Sequence, residues 1–268
     1  MGAPVPVDDP GDERLADFAG LRHRDDPTGP VIAEGALVVR HLLRSPYRLR
    51  AVLVTERGRR ALEADLAGVE APVYLAPQAL VEAVCGFQFH RGALAAADRG
   101  DPLDPTALLG PPTPLLLGIE GVNDSENLGS LFRNAAAFGV GGVVLDPTCA
   151  DPLYRRSVRV SMGHVLRVPF ARLPAWSALG SAGYEVIALT PSPDADELAG
   201  VAPPGGGRPR AVLVGAEGPG LSPAALSAAD RRVRIPLAPG VDSLNVATAA
   251  AVALHHLAGP PPAGPGRR

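Results

Sequence analysis

The sequence predicts an α/β protein of two domains, the second built on a parallel sheet covered on both faces. Three observations lead there. The chain has 268 residues, more than one small core needs and suited to two domains of roughly 100–200 residues each. Stretches with strand character alternate with stretches of helical periodicity. In the C-terminal half the strand-like stretches are apolar runs without period-two alternation, as strands buried on both faces are. With 46% hydrophobic and 20% charged residues, the chain has ample material for cores and lacks the composition of a disordered protein.

The elements follow in order. Residues 1–30 are rich in Asp, Pro and Gly around one amphipathic piece, Glu13 to Leu21, and are expected to form a flexible arm with a helical turn or two. Residues 31–98 read as a small α/β domain: a helix over Gly35 to Leu43, a strand AVLVT (51–55), a helix over Arg59 to Ala67, a strand PVYLA (72–76) and a helix over Pro77 to Cys85. In GDPLDPTALLGPPTP, Pro and Gly recur too often for a regular element, so residues 99–113 read as a linker. Strands are then expected at PLLLGIEG (114–121), GGVVLD (141–146), VLRVPF (165–170), EVIALT (185–190), RAVLVGAE (210–217) and RVRIPL (232–237), with helices at Gly129 to Phe138 and Leu244 to Leu257. These make a second domain over 114–258. The closing GPPPAGPGRR (259–268) is expected to be a disordered tail.

All 25 basic Lys+Arg residues are arginine. A chain without lysine has no Walker-A loop, no pyridoxal Schiff base and no lysine general base. The formal charge of −3 argues against nonspecific coating of nucleic acid, which calls for a basic excess. Locally the balance differs. Between Arg40 and Arg60 stand Arg40, Arg44, Arg48, Arg50, Arg57, Arg59 and Arg60 with one acid, Glu56. That stretch is either a phosphate-facing surface or a solvated face. Cys85 and Cys149 lack a CxxC or metal-ligand pattern, which predicts free thiols in a reducing compartment and no structural metal. The acidic start, MGAPVPVDDPGDE, and the absence of an apolar run approaching 18 residues predict a soluble cytoplasmic protein without a membrane segment.

Three segments of the second domain carry chemistry. In GIEGVNDSENLGSLFRNAAAFGV (118–140), Asn127, Gly129 and Arg133 stand at N-x-G-x-x-x-R, with the first two at a helix start and the arginine one turn inside. Free N–H groups at a helix start can hold an anionic oxygen, with Arg133 beside it; the plain alternative is a capped helix with an exposed arginine. In VLVGAEGPGLS (212–222) a strand runs into three glycines that let backbone approach a flat ligand, with Glu217 among them. The spacing is neither a dinucleotide fingerprint nor a P-loop, and a tight turn with a solvated carboxylate stays open. In RIPLAPGVDSLNVATAAAVALHH (234–256), Ser243 is a credible N-cap before an alanine-rich helix suited to close packing on the sheet or on a second subunit.

Occurring together in this order, the three segments resemble the motifs of the SpoU-type (TrmH-like) RNA ribose 2′-O-methyltransferases of the SPOUT superfamily. NLGSLFRNAAAFGV resembles the first motif, VLVGAEGPGLS the second and IPLAPGVDSLNVATAAAVAL the third; RRSVRVSMGHVLRVPF (155–170) resembles the stretch between the first two. The likeness spans 114–257. IAEGALVVRHLL (32–43) and FHRGALA (89–95) resemble the small α/β substrate-binding domain, similar to certain ribosomal proteins, that often precedes the catalytic domain.

The resemblance implies a parallel sheet whose C-terminal segment threads a loop as a trefoil knot, a feature no periodicity reveals. It implies S-adenosyl-L-methionine as cofactor, held at Thr190, Gly215, Ile235 and Leu244, and a homodimer acting on rRNA or tRNA without metal or membrane. Arg133 is the expected catalytic residue, with Asn127 orienting it or the ribose, Glu217 fixing the loop or the arginine, and Ser243 and Asn245 completing the site. Since arginine is not deprotonated in proteins, its expected role is to bind the 2′-oxygen or a neighbouring phosphate, which leaves the proton acceptor open. RNA contacts are expected from Arg40, Arg44, Arg48, Arg50, His90 and Arg91. His164, His255 and His256 read as packing or helix-end residues. The rivals are a noncatalytic RNA- or ribosome-binding protein that keeps the fold and, more distantly, a nicotinamide dehydrogenase, whose sole support, GVGG (139–142), precedes a strand and lacks the third glycine.

Overall fold

A computed structural model describes residues 4–22, 26–110, 113–202 and 207–258; the expected tail, 259–268, lies outside them. The chain divides into two compact units, Met1–Asp101 with Asp151–Arg167, and Pro102–Ala150 with Val168–Arg268. Residues 151–167, which the sequence assigns to the second domain, belong with the first.

In the first unit, β1 (Val5–Pro6), β2 (Val31–Glu34), β3 (Leu49–Val54), β4 (Val73–Leu75) and β5 (Ala93–Ala97) form a mixed sheet in the order β1-β4-β3-β5-β2. The β1–β4 and β3–β4 pairs are parallel, and β3–β5 and β2–β5 are antiparallel. The fully buried strand β5 reads ALAAA. Alanine is a weak strand former, so only its place between β3 and β2 makes this segment a strand, and the sequence does not announce it. The helix expected from Arg59 starts at Glu56, because the Thr55 hydroxyl accepts the Gly58 N–H at 3.3 Å and caps it.

Residues 4–22 are not a loose arm. β1 pairs with the β4 edge, and Asp12 caps a 3₁₀ helix, Glu13–Phe18. Leu15, Phe18 and Leu21 are buried in a core with Leu53, Val81, Phe89 and Leu94. Leu15 and Phe18 stand three apart, and in a 3₁₀ helix residues at i and i+3 eclipse on one face; Leu21 follows just beyond the helix.

Among its described residues the second unit holds seven strands: β6 (Leu115–Glu120), β7 (Gly142–Leu145), β8 (Phe170–Arg172), β9 (Glu185–Leu189), β10 (Asp196–Glu197), β11 (Arg210–Gly215) and β12 (Arg231–Arg234). Their order is β10-β12-β9-β11-β6-β7-β8, and every pair is parallel. The chain steps outward from β6 to β8, returns to β9, and then inserts β11 between β9 and β6. Parallel pairing puts all the carboxyl ends on one edge, where ligands of open α/β sheets bind. Of the apolar runs read as doubly covered strands, β7 is buried at every residue and β6 and β11 at all but their ends; RVRIPL is not, because β12 stops at Arg234 and Arg232 is exposed.

Two further expectations fail for local reasons. VLRVPF (165–170) is not a strand: His164–Leu166 is a 3₁₀ turn, and pairing begins only at Phe170, after Pro169, which has no N–H to give a ladder. The expected linker contains a helix, Pro105–Leu109, started by proline in its first turn and capped by Asp104, which accepts the Thr106 N–H at 2.8 Å. Its Leu108 is buried in the second core. Among the described residues no helix is long and apolar enough to cross a membrane.

If the N-terminal segment is part of the first core, Phe18→Ala should cost about 3–5 kcal/mol, read as a lowered midpoint in urea unfolding. A loss below about 1 kcal/mol would return residues 1–30 to the status of an appendage.

Candidate active site

The carboxyl edge of the second sheet is organised first by a carboxylate that the sequence reading passed over. Glu120 ends β6. Its Oε1 accepts the Trp176 indole N–H at 2.8 Å and the Ser222 hydroxyl at 2.9 Å, and its Oε2 accepts the Ser222 backbone N–H at 2.7 Å. Ser222 in turn caps the helix Pro223–Ala228, accepting the Ala225 N–H at 3.1 Å. Glu120 thereby fixes where the loop after β11 ends. Its one sequence signal was a carboxylate closing an otherwise apolar strand.

The start of that loop is set by bare backbone. A Cβ on Gly215 would stand 2.3–2.5 Å from backbone atoms of Gly220 and Leu221, closer than any side chain tolerates. The loop closes on itself through the Gly220 N–H, which Ala216 O accepts at 3.0 Å, and Gly220 adopts φ +67°, a conformation that favours glycine. Glu217 projects from the tip of this turn.

Glu217, Asn127 and Asn245, which come from the three separate segments, meet. The Asn245 amide donates from Nδ2 to Glu217 Oε1 at 2.8 Å and to Asn127 Oδ1 at 2.7 Å. Asn127 Nδ2 donates to the same Glu217 oxygen at 3.3 Å. The other end of the Asn245 amide accepts the N–H groups of Ala247 and Thr248 at 3.0 and 3.2 Å. Asn245 is therefore the cap of the helix Val246–Ala258, a role the sequence assigns to Ser243. Ser243 is exposed and makes no side-chain hydrogen bond among the described residues. Asn134 adds a further tie, donating to Ala247 O at 2.8 Å.

The first segment also differs from its sequence reading. Its helix runs Ser125–Ala137 and is capped by Asp124, which accepts the N–H groups of Glu126 and Asn127 at 3.0 and 3.4 Å. Those amides are thus engaged, and Arg133 lies about two turns inside the helix at ~3.6 residues per turn. Six residues after Asn127, Arg133 occupies another face. It is exposed and has no hydrogen bond or ion pair among the described residues.

Beside the network is a cavity of about 340 Å³ lined by Thr190, Gly215, Ile235 and Leu244, the four expected cofactor positions, and by Glu217 and Ser243. Such a volume suits a small-molecule ligand. Its apolar walls include Leu189, Leu237 and Val246, and its charged lining residues are Glu217 and Asp242, both acids. Asp242 was not singled out in the sequence. Among the described residues there is no group of three or more His, Cys, Asp or Glu placed to hold a metal ion.

The arginines expected to face RNA lie in the first unit, and most have partners. Arg40 pairs with Asp65 at 2.7 Å and Arg44 meets it at 3.4 Å; Arg48 pairs with Asp98 at 2.5 Å and Arg50 with Asp17 at 2.8 Å. Arg59 and Arg60 both pair with Glu56 at 2.9 Å. The local surplus counted along the sequence is offset by acids distant in the chain, Asp17, Asp65 and Asp98. His90 is exposed, and Arg91 reaches the buried Glu34 at 3.4 Å. Of the remaining histidines, His164 packs on the His41 ring with centroids 4.8 Å apart, His255 lies against Phe138, and His256 Nε2 bonds Val201 O at 2.8 Å.

Comparison with known proteins converges. Residues 114–255 match the SpoU rRNA Methylase family. An uncharacterized tRNA/rRNA methyltransferase of Mycobacterium tuberculosis is 49% identical over 260 residues, covering 93% of this chain and 90% of its own length. The fold matches the crystal structure of a SpoU methyltransferase from Streptomyces viridochromogenes with a TM-score of 0.74 at 24% identity, covering 91% of this chain and 96% of the other. It also matches an RNA 2′-O ribose methyltransferase with a TM-score of 0.73 at 25% identity, covering 95% and 97%.

The double use of Asn245 can be tested by separating its two ends. Asn245→Ser keeps a capping oxygen and loses the Nδ2 donors, so global stability should fall by under about 1 kcal/mol. Amide exchange across Glu217–Gly220 should quicken by about tenfold, the worth of roughly one such hydrogen bond. Unchanged exchange in that loop would show that Asn245 does not hold it.

Proposed function

This chain belongs to the SpoU rRNA methylase family, and we propose that it transfers the methyl group of S-adenosylmethionine to a ribose 2′-hydroxyl of ribosomal or transfer RNA. One observation carries the reading. Asn127, Glu217 and Asn245, from three distant segments, join beside a cavity whose lining holds Thr190, Gly215, Ile235 and Leu244 together.

The cavity fits the cofactor in size and in charge. Two acids and no arginine line it, although arginine supplies every Lys+Arg cation of the chain, and a cationic sulfonium is favoured where the fixed charges are negative. The half-buried backbone of Gly215 and Gly220 lines the cavity without a side chain to hold a ligand away, and Leu189, Ile235, Leu237 and Leu244 offer apolar surface for a flat base. Bound there, S-adenosylmethionine supplies an electrophilic methyl carbon.

The protein's part is to position the alcohol and to stabilise charge. Arg133 is suited to this because no carboxylate among the described residues occupies its guanidinium, which can grip the ribose oxygen or an adjacent phosphate by its planar fork. It does not serve as the base. Asn127 is bound up with Asn245 and Glu217, so its role is to hold the loops together and not to orient Arg133. Ser243, on the cavity lining and without a side-chain hydrogen bond among the described residues, is available to the ligand.

The reading extends to architecture. The chain after β12 returns to the ends of β9 and β11 before its last helix packs against Ser125–Ala137, in keeping with a trefoil knot over this segment. A homodimer is in keeping with Val252, 40% exposed on the alanine-rich helix. A cytoplasmic setting accords with the thiols of Cys85 and Cys149, both unpaired and buried, and both pushed up to about 12 chiefly by that burial.

Arg133→Ala should lower methyl transfer to RNA by at least about a hundredfold, the scale of a lost oxyanion donor. Its affinity for S-adenosylmethionine by calorimetry and its unfolding midpoint should stay near those of the parent. A variant that methylates at near-parent rate would remove Arg133 from the reaction.

A further inference from the structure

The acids that pair Arg40, Arg48 and Arg50 raise the question of where the first unit keeps uncompensated positive charge. From residue 152 to residue 184 the sequence holds no Asp or Glu, yet within the first unit's share of that stretch stand Arg155, Arg156, Arg159, His164 and Arg167. Arg155 is committed to structure: it donates to the buried Glu34 at 2.9 Å and lies 4.8 Å from the centre of the Phe87 ring. Arg156 and Arg159 stand three apart on the helix Arg155–Val160, and so on one face of it. Arg156 and Arg167 are exposed and Arg159 is half-buried. Neither Arg159 nor Arg167 meets a carboxylate among the described residues.

The same unit adds cationic or protonatable groups nearby. The His164 ring packs on His41 with centroids 4.8 Å apart. Burial foremost, and then the charges of Arg167 and Arg44, hold His41 below the ordinary histidine range. The charges that act on His41 are thus both cations. Arg44 is 65% exposed and its carboxylate contact is long, 3.4 Å to Asp65. Cations without a carboxylate partner among the described residues, as Arg159 and Arg167 are, oppose folding where like charges gather and are compensated when a polyanion docks. Guanidinium groups suit phosphate in particular, because their fork matches its oxygens.

We infer that Arg159 and Arg167, with the His41–His164 pair beside them, form the surface on which RNA backbone phosphates dock. This rests on the reading of RNA as substrate, and it assigns the contact to residues 159–167 instead of the internally paired stretch 40–50.

Two double variants decide it, Arg159→Gln/Arg167→Gln and Arg48→Gln/Arg50→Gln, each titrated by fluorescence anisotropy with a fluorescein-labelled RNA hairpin between about 50 and 200 mM KCl. The first should lose about tenfold or more in affinity, and its salt slope should shrink by about 1.5–2, the release expected for two phosphate contacts. The second should stay within about twofold of the parent in affinity. S-adenosylmethionine binding and the urea unfolding midpoint, measured alongside, should be unchanged in both; the first reports that the second unit is intact and the second that the whole chain is. Parent-like RNA binding by the 159/167 variant, or a larger loss in the 48/50 variant, overturns this surface while leaving the proposed reaction standing. A parent protein that binds S-adenosylmethionine but not RNA overturns the RNA reading, and this surface with it.

Discussion

The site depends on one side-chain amide used at both ends. The oxygen of Asn245 caps the helix Val246–Ala258, and its nitrogen holds Glu217 and Asn127. Neither use is strong alone, since a neutral hydrogen bond contributes about 0.5–1.5 kcal/mol. Their coupling is what matters: the position of the last helix, the tip of the loop after β11 and the first turn of the helix after β6 become one geometric condition. A parallel sheet makes this possible by bringing its carboxyl ends to a single edge, and Gly215 and Glu120 make it specific by fixing the two ends of the intervening loop.

Charge is partitioned with similar economy. A chain whose Lys+Arg cations are all arginine places two acids and no arginine around the cavity. It pairs Arg40, Arg48 and Arg50 with aspartates and leaves Arg133, Arg159 and Arg167 without carboxylate partners among the described residues. The formal charge of −3 is therefore a poor guide to partners. What a polyanion or a sulfonium meets is the local sign, and the two surfaces carry opposite signs.

The sequence made the parallel sheet legible because apolar runs of β-branched and leucine residues have one easy interpretation in α/β proteins. Glu217, Asn127 and Asn245 stand out in the sequence through their motifs, and the fold does bring them together. Their division of labour was not. Ser and Asn are both good caps, so nothing local decides between Ser243 and Asn245. Likewise the Asp124 cap is visible only once the helix start is known. β5 and the N-terminal segment escaped because ALAAA and a Pro-Asp-Gly stretch acquire structure from what they pack against, a tertiary effect that propensity does not contain. The ion pairs of the first unit escaped for the same reason: Arg50 and Asp17, or Arg48 and Asp98, meet only after folding.

The most direct measurement of the central claim is to incubate the protein with isotopically labelled S-adenosylmethionine and unmodified ribosomal and transfer RNA, and to locate the label by nucleoside mass spectrometry. The account predicts label on the ribose 2′-oxygen of a defined nucleotide. Label on a base, or none under conditions in which cofactor and RNA both bind, would contradict it.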